Sequence, residues 1–254
     1  MSIAALTGFL LLAGVAAYAQ TLTGFAFGLI TMGGVGLTGL LSLPDAAALV
    51  SVLTLVNASQ MLTKGWRDVA WRQFGLVMLT SLPFLLVGFA LLGWLAGSRA
   101  DLLRLVLGCT IIVSSFQLAR KPQQLDHVSG APSFLFFGGI AGLMGGMFST
   151  SGPPVVYHFY RQPMPHAMVR ETLVTIFAVN ATLRTGLVAS SGQIPSTSTL
   201  TGLLAVPVVM AATHLARRYP PPLTQRALRQ IVFVLLLLSG VALAAPAVIH
   251  LGRG

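Results

Sequence analysis

The residue with the clearest chemical potential is Arg184, because it is the one charged residue inside a long apolar segment and away from its ends. A charge at membrane depth is costly, and its default interpretation is functional. Asn180 lies four residues earlier and therefore on the same face of a helix. Together, a guanidinium and an amide can bind a small oxyanion. The alternative is that Arg184 extends to the membrane surface near Ser191, which is about 10 Å away.

Two polar interruptions of apolar segments form a second candidate binding feature. One of them precedes Pro153 and consists of Ser149, Thr150, Ser151 and Gly152. The other lies near the N-terminus and consists of Gln20, Thr21, Thr23 and Gly24. The first pattern predicts a helix start with a hydroxyl N-cap and proline at the first helical position. The free N–H groups of such a helix favour an anion. The alternative is that these small residues only permit close helix packing, as do Gly142 and Gly146.

An asparagine follows each interruption inside the next apolar segment. These are Asn57 and Asn180, and Gln60 shares the helix face of Asn57. Amides in hydrocarbon need partners, so hydrogen bonds between helices explain these residues as well as a binding role does. The sequence leaves both interpretations open.

Several other kinds of site are excluded by context. Gly34–Gly39 matches the dinucleotide pattern G-x-G-x-x-G, but it lies in an apolar run without alternating strands and helices. The five histidines are dispersed, the single cysteine is Cys109, and no metal-ligand spacing or catalytic motif occurs. We therefore expect no enzyme activity, no metal and no cofactor.

Composition determines the class of protein that must position these residues. Hydrophobic residues make up 55% of the 254 residues and charged residues only 8%, against about 25% charged in a soluble domain. Six runs have a length suited to a hydrocarbon core of about 30 Å: 45–63, 73–98, 102–119, 168–190, 197–216 and 230–250. The 15 basic residues lie in short clusters between such runs, which indicates membrane topology rather than a nucleic-acid partner. The chain is predicted to be a polytopic helical membrane protein.

The chain also contains two copies of one unit. The interrupted stretches 2–41 and 131–160 occupy matching places, and each is followed by three apolar runs with proline and asparagine in similar positions. We therefore predict a first transmembrane repeat over 1–120, a cytoplasmic linker over 121–130 and a second transmembrane repeat over 131–254.

The distribution of Lys and Arg predicts how the repeats are oriented. If each interrupted stretch returns to its own side of the membrane, eleven Lys and Arg lie on one side and three on the other, whereas a single crossing divides them almost evenly. The positive-inside rule favours the first arrangement. Each repeat then has an odd number of spans, so the repeats are inverted and both termini are periplasmic. The predicted fold is an all-α polytopic membrane protein with two inverted repeats and about eight to ten membrane helices. Each repeat is a Gly-rich broken or re-entrant helical hairpin followed by three transmembrane helices.

Inverted repeats with a broken helix in each half are typical of secondary transporters, whose substrates bind near the midplane. We expect the anion to contact Arg184, Asn180 and the 149–152 interruption, with Asn57 and the 20–24 interruption completing the site. Whether transport is coupled to protons is left open. If it is, the proton is carried either by the solute itself or by one of four residues: Asp45, Glu171, His158 or His214. The alternatives are a passive anion channel and a transporter of a different small organic anion.

The sequence resembles the sulfite exporter TauE/SafE family of bacterial membrane proteins over essentially its whole length. The segment Gly145–Pro154 is similar to the family's G-x-G-G-P-P motif, and Ala167–Arg184 resembles the helix that follows it. Positions 149 and 151 are usually glycine in that motif and are serine here. The resemblance implies a bacterial inner-membrane transporter of sulfite, sulfoacetate or another organosulfonate. It assigns neither the direction of transport nor a homodimer.

Overall fold

The computed structural model describes residues 3–119, 123–191, 197–219 and 225–251. The first part of this chain contains α1 (Ile3–Thr23), α2 (Phe27–Thr38), α3 (Leu43–Gly65), a 3₁₀ turn (Trp66–Asp68), α4 (Trp71–Ser98) and α5 (Ala100–Ala119). The second part contains α6 (Ala131–Phe148), α7 (Pro153–Tyr160), α8 (His166–Ser190), α9 (Thr197–Gly202), α10 (Ala205–Arg218) and α11 (Gln225–Leu251). None of the described residues lies in a strand, so the all-helical prediction is confirmed for them. Arg120, Lys121 and Arg253 of the charge count, with the start of the linker, lie outside the described residues.

Seven stretches of the described chain are long and apolar enough to cross a membrane. They are Ile3–Thr23, Leu43–Thr63, Trp71–Gly97, Ala100–Gln117, Ala131–Phe148, His166–Ser190 and Thr199–Arg218. Large apolar side chains are exposed on their outer surfaces, among them Leu79, Phe84 and Phe116. Because lipid tails solvate such side chains as well as a protein core does, this surface fits a bilayer. The polytopic membrane class is therefore confirmed.

The two interrupted stretches each form a long helix, a short break and a second, shorter helix. In the first stretch α1 has 21 residues and α2 has 12. In the second, α6 has 18 residues and α7 has 8. At 1.5 Å per residue, α2 and α7 span about 18 and 12 Å, which is less than the hydrocarbon thickness.

The predicted span 197–216 is divided into two helices. Leu203 and Leu204 form a turn between α9 and α10. Pro207 has no N–H to donate to the carbonyl of Leu203, and Val206 N donates to that carbonyl instead over 2.9 Å. In contrast, α4 continues through Pro83 without a break.

Helices from the two parts of the chain interleave. α4 packs on α6, and α10 packs on α1, so each of these pairs joins one helix from each part. α3 packs on α8, and α5 packs on α11. All four of these pairs thus join a helix of the first part of the chain to a helix of the second.

A row of glycines on α6 brings that helix into backbone contact with α4. A Cβ added to Gly142 would lie 2.0 Å from the carbonyl oxygen of Ser81, and one added to Gly146 would lie 2.2 Å from that of Leu85. Gly138, one turn earlier, would place a Cβ 2.5 Å from Val77 O. The expected helix contact at Gly142 and Gly146 is confirmed, since only a residue without a side chain permits this approach.

Candidate functional site

The break between α6 and α7 covers residues 149–152, as expected. Ser149 adopts the left-handed conformation with φ of 55°, and its N–H donates to Gly145 O over 2.9 Å. Gly152, with φ of 81°, is the N-cap of α7, and Pro153 opens the helix. The predicted hydroxyl cap is wrong, because no side chain caps α7. The hydroxyls of Ser149 and Ser151 bond to α3 and α8 instead.

Asn180 on α8 is one partner of the break. Its Nδ2 donates to Ser151 Oγ over 2.8 Å. Ser81 Oγ on α4 lies 2.9 Å from Nδ2 and 3.1 Å from Oδ1 of the same amide. Asn180 is only 2% exposed. Its amide therefore joins α8 to the break and to α4.

Arg184 lies one turn further along α8 and is 1% exposed. Its Nε donates to Gly146 O at the end of α6, and its Nη1 donates to Ser51 Oγ on α3, each over 3.0 Å. The guanidinium also lies over the ring of Phe89, 5.7 Å from its centroid. The surface-seeking interpretation of Arg184 is wrong, since the side chain is held inside the bundle.

Arg184 is a buried cation without a carboxylate partner among the residues that the structure describes. The ion pairs among the described residues are Asp101–Arg104 and Arg170–Glu171, and neither includes it. A buried charge that lacks a counter-ion is strongly unfavourable unless a ligand supplies the opposite charge. The site therefore fits an anion.

Ser51 connects Arg184 to the break. Its Oγ lies 2.7 Å from Ser149 Oγ, and it also donates to the carbonyl of Ala47 on its own helix. Sequence analysis missed Ser51 and Ser81. Both are small polar residues in apolar helices, and that isolated polarity is the signal that could have identified them.

The first interruption differs from the expected one. α1 continues through Thr23, so Gln20, Thr21 and Thr23 lie in its last turn. The hydroxyls of Thr21 and Thr23 each donate to the carbonyl four residues earlier on the same helix, over 2.8 Å. The chain leaves the helix at Gly24, with φ of 86°. The break therefore covers residues 24–26.

Gln20 and Asn57 form a hydrogen-bond network next to this break, in which the amides bond to protein groups. Gln20 Oε1 accepts from Phe27 N at the start of α2, and Gln20 Nε2 donates to Asn57 Oδ1, each over 3.0 Å. Asn57 Nδ2 donates to Thr21 over 3.2 Å and to Thr213 on α10 over 2.7 Å. Asn57 is fully buried. In this conformation its amide bonds to the protein itself.

The two breaks lie against each other. A Cβ added to Gly28, in the first turn of α2, would lie 2.9 Å from Thr150 Cβ and 3.1 Å from Ser149 O. Gly28 thus permits the start of α2 to contact the second break. The second half of the first interrupted stretch is thereby placed next to the 149–152 break.

Arg184 lines a cavity of about 390 Å³ among α3, α4, α8 and α9. Asp45 and Thr199 also line it, and Thr199 Oγ1 donates to Asp45 Oδ1 over 2.8 Å. Asp45 lies in the first turn of α3, where Ser42 caps the helix. Asn180 lines a separate space of about 10 Å³ beside the break. The expected pair of Arg184 and Asn180 therefore does not face one cavity in this conformation.

The four residues considered for proton coupling lie in different environments. Glu171 is buried and pairs with Arg170 over 2.7 Å, whereas His214 lines an open groove with Arg217. His158 is buried and stacks on Phe137 at 4.4 Å between ring centroids. Asp45 alone among the four lines the cavity with Arg184. Within the described residues, no three metal-ligating side chains cluster.

The interleaved apolar helices define a polytopic membrane protein, and Arg184 is a buried cation in a cavity among them. Residues 9–243 match the family described as sulfite exporter TauE/SafE, and the chain belongs to that family. It is 38% identical over 243 residues to the probable sulfite/organosulfonate exporter TauE of Cupriavidus necator, which covers 96% of this chain and 95% of that protein. It is 31% identical over 201 residues to the probable inner membrane transporter protein TsaS of Comamonas testosteroni, covering 76% and 80% respectively. No solved structure matches the chain significantly.

Proposed function

We propose that this protein is a secondary transporter that exports a small sulfur-containing anion, such as sulfite, sulfoacetate or another organosulfonate. It works in the bacterial inner membrane by alternating access between two inverted repeats, residues 1–120 and 131–254, with both termini periplasmic. The names of the two relatives support this substrate class and this membrane.

The observation that carries the proposal is the buried guanidinium of Arg184. It lacks a carboxylate partner among the described residues, and it lines a cavity large enough for a small solute. Its Nε and Nη1 bond to Gly146 O and Ser51, and Nη2 makes no hydrogen bond to the described part of the protein. Because a guanidinium has five N–H donors, Nη2 can bind a sulfonate or sulfite oxygen.

The remaining predicted site residues lie in the two breaks or bond to them, and we propose that they affect the bound anion through those breaks. From the second half these are Asn180, Ser149, Thr150, Ser151 and Gly152. From the first half they are Asn57, Gln20, Thr21, Thr23 and Gly24. Ser51 connects Arg184 to the second break, and the contact of Gly28 with Thr150 connects that break to the first. An anion bound at Arg184 would thus affect both breaks, which is what coupling of binding to a conformational change requires.

Alternating access also requires that one end of the molecule is closed while the other is open. The cavity lies toward the ends of α4 and α8, near Arg184 and Val188. The opposite end of α8 carries the Arg170–Glu171 pair, about 20 Å away along the helix. Tyr160 OH donates there to Thr23 O over 3.0 Å, and Arg170 packs on Gly24. These contacts support a state that is open at one end only.

The test is counterflow of labelled sulfite and sulfoacetate into proteoliposomes preloaded with the same unlabelled anion. We expect saturable exchange by the wild-type protein and loss of exchange in Arg184→Ala. Arg104→Ala is the matched control, because Arg104 is exposed and pairs with Asp101. A passive channel would give flux without counterflow. Undiminished exchange in Arg184→Ala would contradict the assigned site.

A further inference from the structure

The cavity beside Arg184 is mostly apolar. The hydrophobic side chains that line it include Leu49, Val52, Phe89, Leu92, Leu200 and Leu203. Sulfite carries its charge over three oxygens and has no hydrocarbon, so its binding would leave these walls in contact with water. Apolar walls gain free energy only when apolar groups of the solute cover them.

Two polar residues of the cavity are neighbours on α8. Arg184 supplies the guanidinium, and Thr185, the next residue, also lines the cavity. The hydroxyl oxygen of Thr185 is buried and has no hydrogen-bond partner in the described structure. A buried hydroxyl without a partner is unfavourable, and a ligand oxygen that reaches it would supply the missing hydrogen bond. Neither the family resemblance nor the motif analysis assigns Thr185 a role.

The third polar group, Asp45, lies apart from these two. It precedes Ser51, the partner of Arg184, by six residues on α3, which corresponds to about 9 Å along the helix. Its carboxylate accepts from Thr199 and Ser42. A second negative charge on the solute would therefore meet either apolar walls or this carboxylate.

We propose that the cavity selects monoanionic sulfonates that carry an apolar chain over bare sulfite and over dianions such as sulfoacetate. The sulfonate oxygens bind Arg184 Nη2 and, once the Thr185 side chain rotates toward the cavity, Thr185 Oγ1, and the chain lies against the apolar walls. This inference rests on the proposed function, because it assumes that Arg184 binds the transported anion.

Gly93 on α4 offers a direct way to fill the cavity. It lines the cavity, and a Cβ added to it would have no atom within 4 Å. Gly93→Leu therefore adds a large side chain at the cavity wall without a clash at its Cβ, and we expect it to compete with the chain for this space. Gly75→Leu is the matched control, since Gly75 is exposed on the same helix, has equal room for a Cβ and lies 18 residues away.

The experiment is calorimetric titration of the purified full-length protein in detergent with sulfite, sulfoacetate, methanesulfonate, propanesulfonate and pentanesulfonate. We expect the wild type and Gly75→Leu to gain up to about fourfold in affinity per methylene. Gly93→Leu should lose this gain and keep its affinity for methanesulfonate. Thr185→Val should weaken all the sulfonates by a similar factor of about five or more, because it removes one headgroup contact.

The outcomes separate this inference from the proposed function. Equal affinity for methanesulfonate and pentanesulfonate, or preference for sulfoacetate, would overturn the apolar-chain inference and leave anion binding at Arg184 intact. An unchanged chain-length gain in Gly93→Leu would also overturn it. Failure of the folded wild type to bind any of the anions would overturn both the inference and the proposed function.

Discussion

Arg184 and Ser51 are joined by a hydrogen bond of 3.0 Å between α8 and α3. Ser51 also lies 2.7 Å from Ser149, the left-handed residue at the end of α6. A single serine thus links the buried cation to the backbone break. Any anion that changes the position of the guanidinium changes the hydrogen bonding of the break as well.

The first prediction concerns the free energy of burying Arg184. Arg184→Met preserves most of the side-chain volume and removes the charge. We expect loss of anion binding with a melting temperature equal to or above that of the wild type, because a desolvated cation without a carboxylate partner is destabilising. Thermal unfolding in detergent measures this. A fall of about 5 °C or more, absent from Arg104→Met, would show that Arg184 chiefly supports the fold.

The second prediction concerns Asn57. Asn57→Ala leaves the amide of Gln20 and the hydroxyls of Thr21 and Thr213 without their shared partner. Each buried group that loses its bond costs about 1–3 kcal/mol, so we expect a clearly lower melting temperature. Ser59→Ala is the control, because Ser59 is exposed on the same helix. Normal stability with weakened anion binding would mean that Asn57 contacts the solute in another conformation.

The third prediction tests the glycine row of α6. Gly142→Ala places a Cβ 2.0 Å from Ser81 O, so α4 and α6 must separate. We expect a large loss of folded, monodisperse protein, measured by size-exclusion chromatography and thermal unfolding. Gly139→Ala on the same helix meets Phe84 at 3.6 Å, an ordinary contact, and should behave as the wild type. Similar yields and melting temperatures for the two variants would refute the backbone contact.

The fourth prediction tests the contact between the start of α2 and the second break. Gly28→Ala brings a Cβ within 2.9 Å of Thr150 Cβ and forces the start of α2 away from the second break. We expect transport to fall about tenfold or more while most of the protein remains folded. Gly186→Ala on α8, where a Cβ has no neighbour within 4 Å, is the control. Full transport by Gly28→Ala would show that contact between the breaks is not required.

Features encoded locally in the sequence were predicted well. Hydropathy located α3, α4, α5, α8 and α11, and the cluster of Ser, Gly and Pro located the 149–152 break. The similar cluster at residues 20–24 was less informative. Thr21 and Thr23 satisfy their hydroxyls on carbonyls of their own helix, so α1 continues through them.

Features that depend on distant residues were not predicted. Ser81 lies 99 residues from its partner Asn180, and Ser51 lies 133 residues from Arg184. No local pattern encodes such pairings, because they arise from the interleaving of helices from both halves. The cavity likewise depends on α9, which exists as a separate helix because of the turn at Leu203 and Leu204.

The backbone contact between α4 and α6 also has a mechanical consequence. Along three turns, Gly138, Gly142 and Gly146 leave no layer of side chains between the two helices, so neither helix can slide or rotate past the other without steric overlap. α4 precedes the 121–130 linker and α6 follows it. In the proposed transport cycle α4 and α6 therefore stay together, although they come from different halves of the polypeptide. If the chain were cut between residues 121 and 130, the two fragments would have to associate in order to fold. Helices of each fragment pack against helices of the other.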